Sequence, residues 1–180
     1  VSIKTTKFDG TVSEKQLFKV DNKVVSVYFV IGRTTRIREG EPPLELHSTM
    51  YFEFEKTNDY SFITKLWSIA KSFIQFLCYR QNVGLPEAII SAPIENGKHG
   101  SVATFYVVGE TNTVEPNTLD KGRYIKQQYI AGYEGEILND ISSNNLYQRH
   151  IPLSYKQGCS IDAARFVMIT AAFEWEFNRT

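Results

Sequence analysis

The chain has 180 residues, and its 20 Lys and Arg balance 20 Asp and Glu. A neutral chain exerts no overall attraction on nucleic acid or anionic lipid, so such a partner would need a local basic patch. The two cysteines, Cys78 and Cys159, fit neither a CxxC metal pair nor a disulfide framework, which favours reduced thiols in a cytoplasmic protein. No apolar run is long enough for a membrane span, so we expect no membrane partner.

Residues 17–55 carry the pattern of antiparallel strands. Residues 24–31 (VVSVYFVI) form a β-branched and aromatic run, and the turn-forming pair Asp21-Asn22 before it predicts a hairpin with residues 17–20. Residues 45–55 alternate between apolar and polar, which predicts a strand with one face in solvent. Its inward set is Leu46, Ser48, Met50, Phe52 and Phe54, and its outward set is Glu45, His47, Thr49, Tyr51, Glu53 and Glu55.

The period of the apolar residues then changes from two to about 3.6, which predicts a helix over residues 60–79. Asn58 or Asp59 is suited to cap its start. The apolar positions recur every three or four residues and predict one buried stripe: Phe62, Ile63, Leu66, Ile69, Ala70, Phe73, Ile74 and Leu77.

The second half of the chain is less regular. Residues 88–92 and 102–108 predict two more strands, joined by a turn that contains the Asn-Gly pair at residues 96–97. Residues 133–141 predict a short helix, which Gly135 weakens. The fold class predicted is therefore α+β: a mostly antiparallel sheet or sandwich, with a long amphipathic helix packed on it and a C-terminal helix leading out.

The C-terminal helix is predicted over residues 161–177, and its apolar residues wrap almost every side. A single small domain rarely encloses its last helix so fully. We therefore expect residues 1–158 to be a β-rich accessory domain of a larger protein, with residues 159–180 starting a helix that belongs to, or links to, a missing downstream domain. The predicted interface residues contact that domain or a second copy of the chain: Phe166, Phe173, Trp175 and Phe177.

The sequence shows no arrangement typical of catalysis. Glu45, Glu53 and Glu55 share one strand face, and a retaining glycosidase needs two carboxylates about 5 Å apart, but period-two charges are more typical of a solvated strand face. The three histidines lack metal-ligand spacing, and neither a phosphate loop nor a GxSxG turn occurs. We predict no catalytic residue, metal or cofactor, and a stand-alone hydrolase is the weakest alternative.

Two clusters mix cations with aromatic rings, as single-strand-binding surfaces do. They lie at residues 121–129 and 147–156. The alternative interpretation is an ordinary surface, because the chain is neutral and rich in tyrosine. If the clusters bind nucleic acid or carbohydrate, the candidate residues are Arg123, Tyr124, Tyr129, Tyr147 and Arg149.

Residues 51–83 (YFEFEKTNDYSFITKLWSIAKSFIQFLCYRQNV) resemble the N-terminal domain of ApeA-type bacterial proteins, in which this domain precedes a HEPN ribonuclease domain. Residues 150–177 are similar to the linker and first helix that lead into the HEPN part. The family's catalytic motif, an Arg followed by four to six residues and a His, is not present, so no catalytic residue carries over. The resemblance implies a sensing or regulatory module of an anti-phage abortive-infection ribonuclease, with its own downstream domain or a phage protein as partner.

Overall fold

The computed structural model describes residues 11–35, 44–84, 87–94, 97–106 and 124–179. The elements in chain order are β1 (Thr11–Val12), β2 (Gln16–Val20), β3 (Lys23–Thr35), β4 (Leu44–Phe54), α1 (Tyr60–Cys78), β5 (Ala88–Pro93), β6 (His99–Phe105), a 3₁₀ turn (Gln127–Tyr129), α2 (Glu134–Ser142), α3 (Tyr155–Gly158) and α4 (Ala163–Arg179). Both sheets are antiparallel and helices pack beside them, so the predicted α+β class is confirmed.

The larger sheet is built around β3, which pairs with β2 and β1 along one edge and with β4 along the other. Asp21 and Asn22 join β2 to β3 with φ values of 49° and 65°. Two positive φ angles in a two-residue loop are those of a type I′ turn, whose twist matches the flanking strands. The predicted hairpin is therefore confirmed, although β3 continues to Thr35, four residues beyond the apolar run.

The two faces of this sheet differ as the alternation predicts. Val25 and Val27 of β3 are buried on the inner face, opposite Phe54 and Phe52 of β4. On the outer face the rings of Tyr28 and Tyr51 stack at a centroid distance of 5.0 Å. The predicted division of β4 holds from residue 49 to residue 54. Ser48, which was predicted to face inward, is exposed, and the side chains of residues 44–47 lie outside the described part.

Helix α1 packs on the inner face, and its start and end are both fixed locally. The Asp59 carboxylate accepts hydrogen bonds from the backbone N–H groups of Ser61 and Phe62, which confirms the predicted cap. The helix ends where Tyr79 takes a left-handed conformation, with φ 49°, and its N–H bonds the last turn. Glycine is the usual residue there, because a side chain is strained at positive φ. The residues of the predicted stripe that are buried are Phe62, Leu66, Ile69, Ala70 and Phe73.

Helix α2 covers β2 and the adjoining part of α1, and Leu138 reaches the core. The Gln16 side chain ties the two together, since its Oε1 accepts from the Gly135 N–H at 2.7 Å and its Nε2 donates to Glu134 at 2.8 Å. A Cβ on Gly135 would lie 2.8 Å from the Leu17 carbonyl oxygen. The glycine that weakens this helix in the sequence is thus what allows it to approach β2.

The second sheet pairs β5 with β6 across the predicted turn, which has a positive φ at Gly97. Strand β6 begins at His99, three residues before the predicted strand over residues 102–108, and ends at Phe105. Trp67 of α1 contacts Phe105 of β6 edge to face, at a centroid distance of 6.2 Å. Helix α4 begins two residues later than predicted, after Asp162, whose carboxylate accepts from the Arg165 N–H at 2.7 Å. Within the described ranges, every helix is too short or too polar to cross a bilayer.

Candidate functional site

Helix α4 turns its apolar side away from the rest of the protein. Phe166, Phe173 and Phe177 are 63%, 71% and 71% exposed, and the rings of the last two stack on each other at 6.2 Å. They are spaced seven and four residues apart, so they lie on one side of the helix. We call these three residues the phenylalanine face. An amphipathic helix normally directs such a side towards the core, and this one does the reverse.

The other side of α4 attaches the helix to the body through a few polar contacts. Ala172 is the α4 residue that is buried. At one end, Arg165 Nη1 donates to the carbonyl oxygen of Gly158 at 3.0 Å. At the other end, Arg179 pairs with Asp140 of α2 at 2.9 Å. We call this contact surface the α4 seat; on α4 it consists of Arg165, Ala172, Trp175, Glu176 and Arg179.

Trp175 belongs to the α4 seat and lies off the phenylalanine face. Its indole Nε1 donates to the carbonyl oxygen of Asn145 at 2.8 Å. Its ring lies 6.5 Å from that of Tyr147. The structure therefore separates the four predicted interface residues: three lie on the phenylalanine face, and Trp175 contributes to the attachment of the helix.

His150 lies against the seat, between Tyr79 and Tyr147, at ring-centroid distances of 5.6 Å and 6.3 Å. Burial lowers the pKa of His150 below its ordinary value, and the positive charge of Arg165 lowers it further; a hydrogen bond with the Tyr147 backbone and the charge of Glu176 oppose the shift. Within the described residues, the buried atoms Arg165 Nε and Glu176 Oε1 have no hydrogen-bond partner. Such atoms cost free energy, so α4 rests on a polar and incompletely bonded surface.

The predicted binding residues are divided between two places around the end of α1. Tyr129 is 68% exposed and Arg149 is also exposed, whereas Tyr124 is partly buried. Tyr147 is occupied by its contacts with His150 and Trp175. Arg123 lies outside the described residues. The hydrogen bond from the Ile125 N–H to the Leu77 carbonyl places the first cluster beside this helix end, and the Tyr79–His150 contact places the second there.

The carboxylate face of β4 has the contacts of a solvated sheet. Lys15 Nζ lies 2.6 Å from Glu53 Oε2, and this contact lowers the pKa of the carboxyl group and raises that of the ammonium group. Glu53 is therefore a poor proton donor near neutral pH. Glu55 lies one residue past β4, and the Glu45 side chain is outside the described part. Burial raises the pKa of Cys78, which disfavours the thiolate. Within the described residues, no group of three or more His, Cys, Asp or Glu is arranged to hold a metal.

The α4 seat is the feature that the sequence interpretation missed. Four of its members are polar or small and recur at helical spacing: Arg165, Ala172, Glu176 and Arg179. This stripe could have indicated the attached side of α4 from the sequence. Comparison with protein-family models, curated proteins and solved structures returns no match.

Proposed function

We propose that this protein is a non-catalytic interaction module, which regulates a partner by docking the phenylalanine face of α4 on it. The observation that carries the proposal is the orientation of α4, with three phenylalanines mostly exposed and Arg179 paired with Asp140 of α2. A contiguous exposed patch of large apolar side chains is typical of an interaction site. Covering such rings gains about 25 cal/mol for each Å2 removed from water, or a few kcal/mol for the whole face.

The resemblance to ApeA-type proteins supplies the biological setting of the proposal. In that setting the chain is the sensing or regulatory part of a cytoplasmic anti-phage HEPN ribonuclease, and the docked partner is helical and carries the catalytic Arg and His. A helix offered with its apolar side outward suits a helical partner, because apolar helix faces pack together through interlocking side chains.

The test is to read the gene beyond the Thr180 codon and to measure binding of any helical domain encoded there, supplied as a separate chain. We expect calorimetry to show binding that Phe166→Asp and Phe173→Asp each weaken at least about tenfold. The control is Tyr60→Asp, which changes a ring on α1 that is 85% exposed and should leave the affinity unchanged. A stop codon after Thr180 would remove the ribonuclease setting, and binding that ignores both phenylalanine changes would remove the docking role.

A second candidate function is direct binding of single-stranded nucleic acid. The observation in its favour is that both basic and aromatic clusters reach the same end of α1, with Tyr129 and Arg149 exposed. An electrophoretic shift that Tyr129→Ala and Arg149→Ala each reduce would support nucleic-acid binding. The assay is run at low salt, because contacts to phosphate are strongest at low salt. A shift that neither change affects, or no shift at low salt, would contradict it.

A further inference from the structure

We infer that two polar contacts, Trp175 with Asn145 and Arg179 with Asp140, form a latch: the C-terminal end of α4 opens when they break, while its N-terminal end stays attached. The contacts that hold the two ends differ in kind, and this difference leads to the inference. The regulatory meaning of the latch rests on the proposed docking function, whereas the latch itself does not.

The N-terminal end of α4 is held by residues close to it in the chain. The Asp162 carboxylate caps the first turn by accepting from the Arg165 N–H at 2.7 Å. Arg165 Nη1 donates to the carbonyl oxygens of Gln157 and Gly158, at 3.3 Å and 3.0 Å. All of these partners lie within eight positions of Arg165. These contacts therefore persist when the other end of the helix moves.

The segment before α4 is itself fixed to the body. Just past α1, the backbone N–H groups of Gln81 and Asn82 donate to the carbonyl oxygens of Pro152 and Leu153, at 2.9 Å and 3.0 Å. Pro152 is buried, and a Cβ on Gly158 would lie 3.3 Å from its ring. The junction of α3 and α4 is therefore a firm base for the N-terminal end of α4.

The C-terminal end of α4 is held by contacts to residues distant in the chain. Trp175 Nε1 donates to the carbonyl oxygen of Asn145, 30 positions away, and Arg179 Nη1 lies 2.9 Å from Asp140 Oδ2. Trp175 and Arg179 are four positions apart, so one side of the helix carries both contacts. Both side chains of the ion pair are partly exposed. An ion pair in contact with solvent contributes little to stability, so this end is weakly held.

The closed latch also leaves one polar atom without a partner. Glu176 pairs with Arg179 through Oε2 at 2.9 Å, whereas its Oε1 is buried and has no hydrogen-bond partner among the described residues. Such an acceptor regains a hydrogen bond to water when the contact opens. Little apolar area opposes opening, because Ala172 is the α4 residue that is buried and Trp175 is half exposed already. We expect the latch to be open in roughly 0.1–10% of molecules.

Opening makes a second side of α4 accessible. Phe166 and Phe173 are mostly exposed while the latch is closed, whereas Ala172 and the rest of Trp175 become accessible only when it opens. A partner that encloses the helix on all sides therefore binds the open form. Its apparent affinity falls in proportion to the open fraction, so the latch regulates how readily α4 is enclosed.

Hydrogen exchange of the Trp175 indole N–H, followed by NMR on the whole chain, measures the opening. We expect Arg179→Ala and Asp140→Ala each to speed this exchange about two- to fivefold. The double variant should be no faster than the single variants, because all three lose the same contact. The Arg165 amide, which reports on the N-terminal end of α4, should keep its rate.

Two controls separate the latch from a general loss of stability. The Trp67 indole lies on α1, and its exchange rate should stay the same in every variant unless the whole fold is weakened. Lys65→Ala removes another exposed ion pair, between α1 and Asp21 of the turn between β2 and β3. It should leave the exchange of Trp175 unchanged.

Salt provides an independent test. Raising the salt concentration from about 50 mM to about 500 mM should speed the exchange of Trp175, because salt screens an exposed ion pair. Arg179→Ala should remove most of that dependence. Exchange that Arg179→Ala leaves unchanged, equal acceleration at Trp175 and Arg165, or a salt dependence that survives in Arg179→Ala would overturn the latch. Each of these results would leave the docking role standing, since Phe166 and Phe173 are exposed with the latch closed.

Discussion

Helices α1 and α4 are both rich in phenylalanine, yet the protein places these rings in opposite surroundings. Phe62 and Phe73 of α1 are fully buried, while Phe173 and Phe177 of α4 are 71% exposed. The inner face of the sheet and α2 present apolar side chains to α1, and these pack against its apolar stripe. Helix α4 instead rests on Asp140, the Asn145 carbonyl and the surroundings of His150, which are polar. The surface that a helix meets, rather than its composition, decides which side is buried.

The largest expected effect comes from truncating one phenylalanine in each helix. Phe73→Ala should lower the free energy of unfolding by about 3–5 kcal/mol, because it removes a fully buried ring and leaves a cavity. Phe173→Ala should change it by less than about 0.5 kcal/mol, since that ring is mostly in solvent already. Urea unfolding of both variants measures the difference. Similar losses at the two positions would mean that the phenylalanine face is covered in solution by something other than a weakly bound partner.

Gly135 tests how closely the layer beside α1 is packed. Gly135→Ala places a Cβ 2.8 Å from the Leu17 carbonyl oxygen, so α2 must move away from β2. We expect a loss of about 1–3 kcal/mol in thermal or urea unfolding. The matched control is Gly84→Ala, where a Cβ would meet no atom within 4 Å; it should be neutral. If Gly135→Ala leaves the free energy of unfolding unchanged, α2 is packed more loosely on β2 than α1 is on the sheet.

The two N-caps sharpen the comparison between the helices. Asp59→Ala removes hydrogen bonds to the first turn of α1 and should cost about 1 kcal/mol of global stability. Asp162→Ala removes the equivalent bond in α4. Since α4 is weakly attached, we expect that change to increase amide exchange in α4 and to leave the unfolding midpoint almost unchanged. Equal shifts of the midpoint would show that α4 unfolds together with the core.

The smallest expected effect is a loosening of the α4 seat in acid. Because the pKa of His150 is lowered in the folded protein, its protonation is easier once the seat opens. The seat should therefore be unaffected above about pH 6.5, the ordinary pKa of histidine, and weaken as the pH falls below it. The groups that face the imidazole are Tyr79, Tyr147, Arg165 and Glu176.

The measurement is collisional quenching of Trp175 fluorescence in a Trp67→Phe background, from pH 7.5 to pH 5.5. Quenching should increase towards the acid end, and His150→Gln should remove most of that increase. An increase of the same size in the His150→Gln variant would assign the effect to other groups.

The part of the fold that follows from local chemistry could be predicted. The Asp21-Asn22 turn, the alternation in β4 and the cap at Asp59 each depend on neighbours in the chain, and the sequence displays them. The direction of α4 could not be predicted, because apolar residues on nearly every side give no preferred side. Trp175 shows the reason. Its indole N–H donates to the Asn145 carbonyl, 30 positions away in the chain, and this distant contact places the side chain on the α4 seat.

The hydrogen bond between Gln16 and Glu134 joins residues 118 positions apart. Strands β2, β3 and β4 pair with one another within the first 54 residues, whereas β2 and α1 meet α2 only after a long loop has closed. During synthesis on the ribosome, β2 is therefore exposed well before Leu138 and the rest of α2 leave the exit tunnel. During that interval the apolar side chains of Phe18 and Val20 lack part of the core that buries them in the folded protein. We therefore expect chaperone binding to the nascent chain to be strongest in this interval.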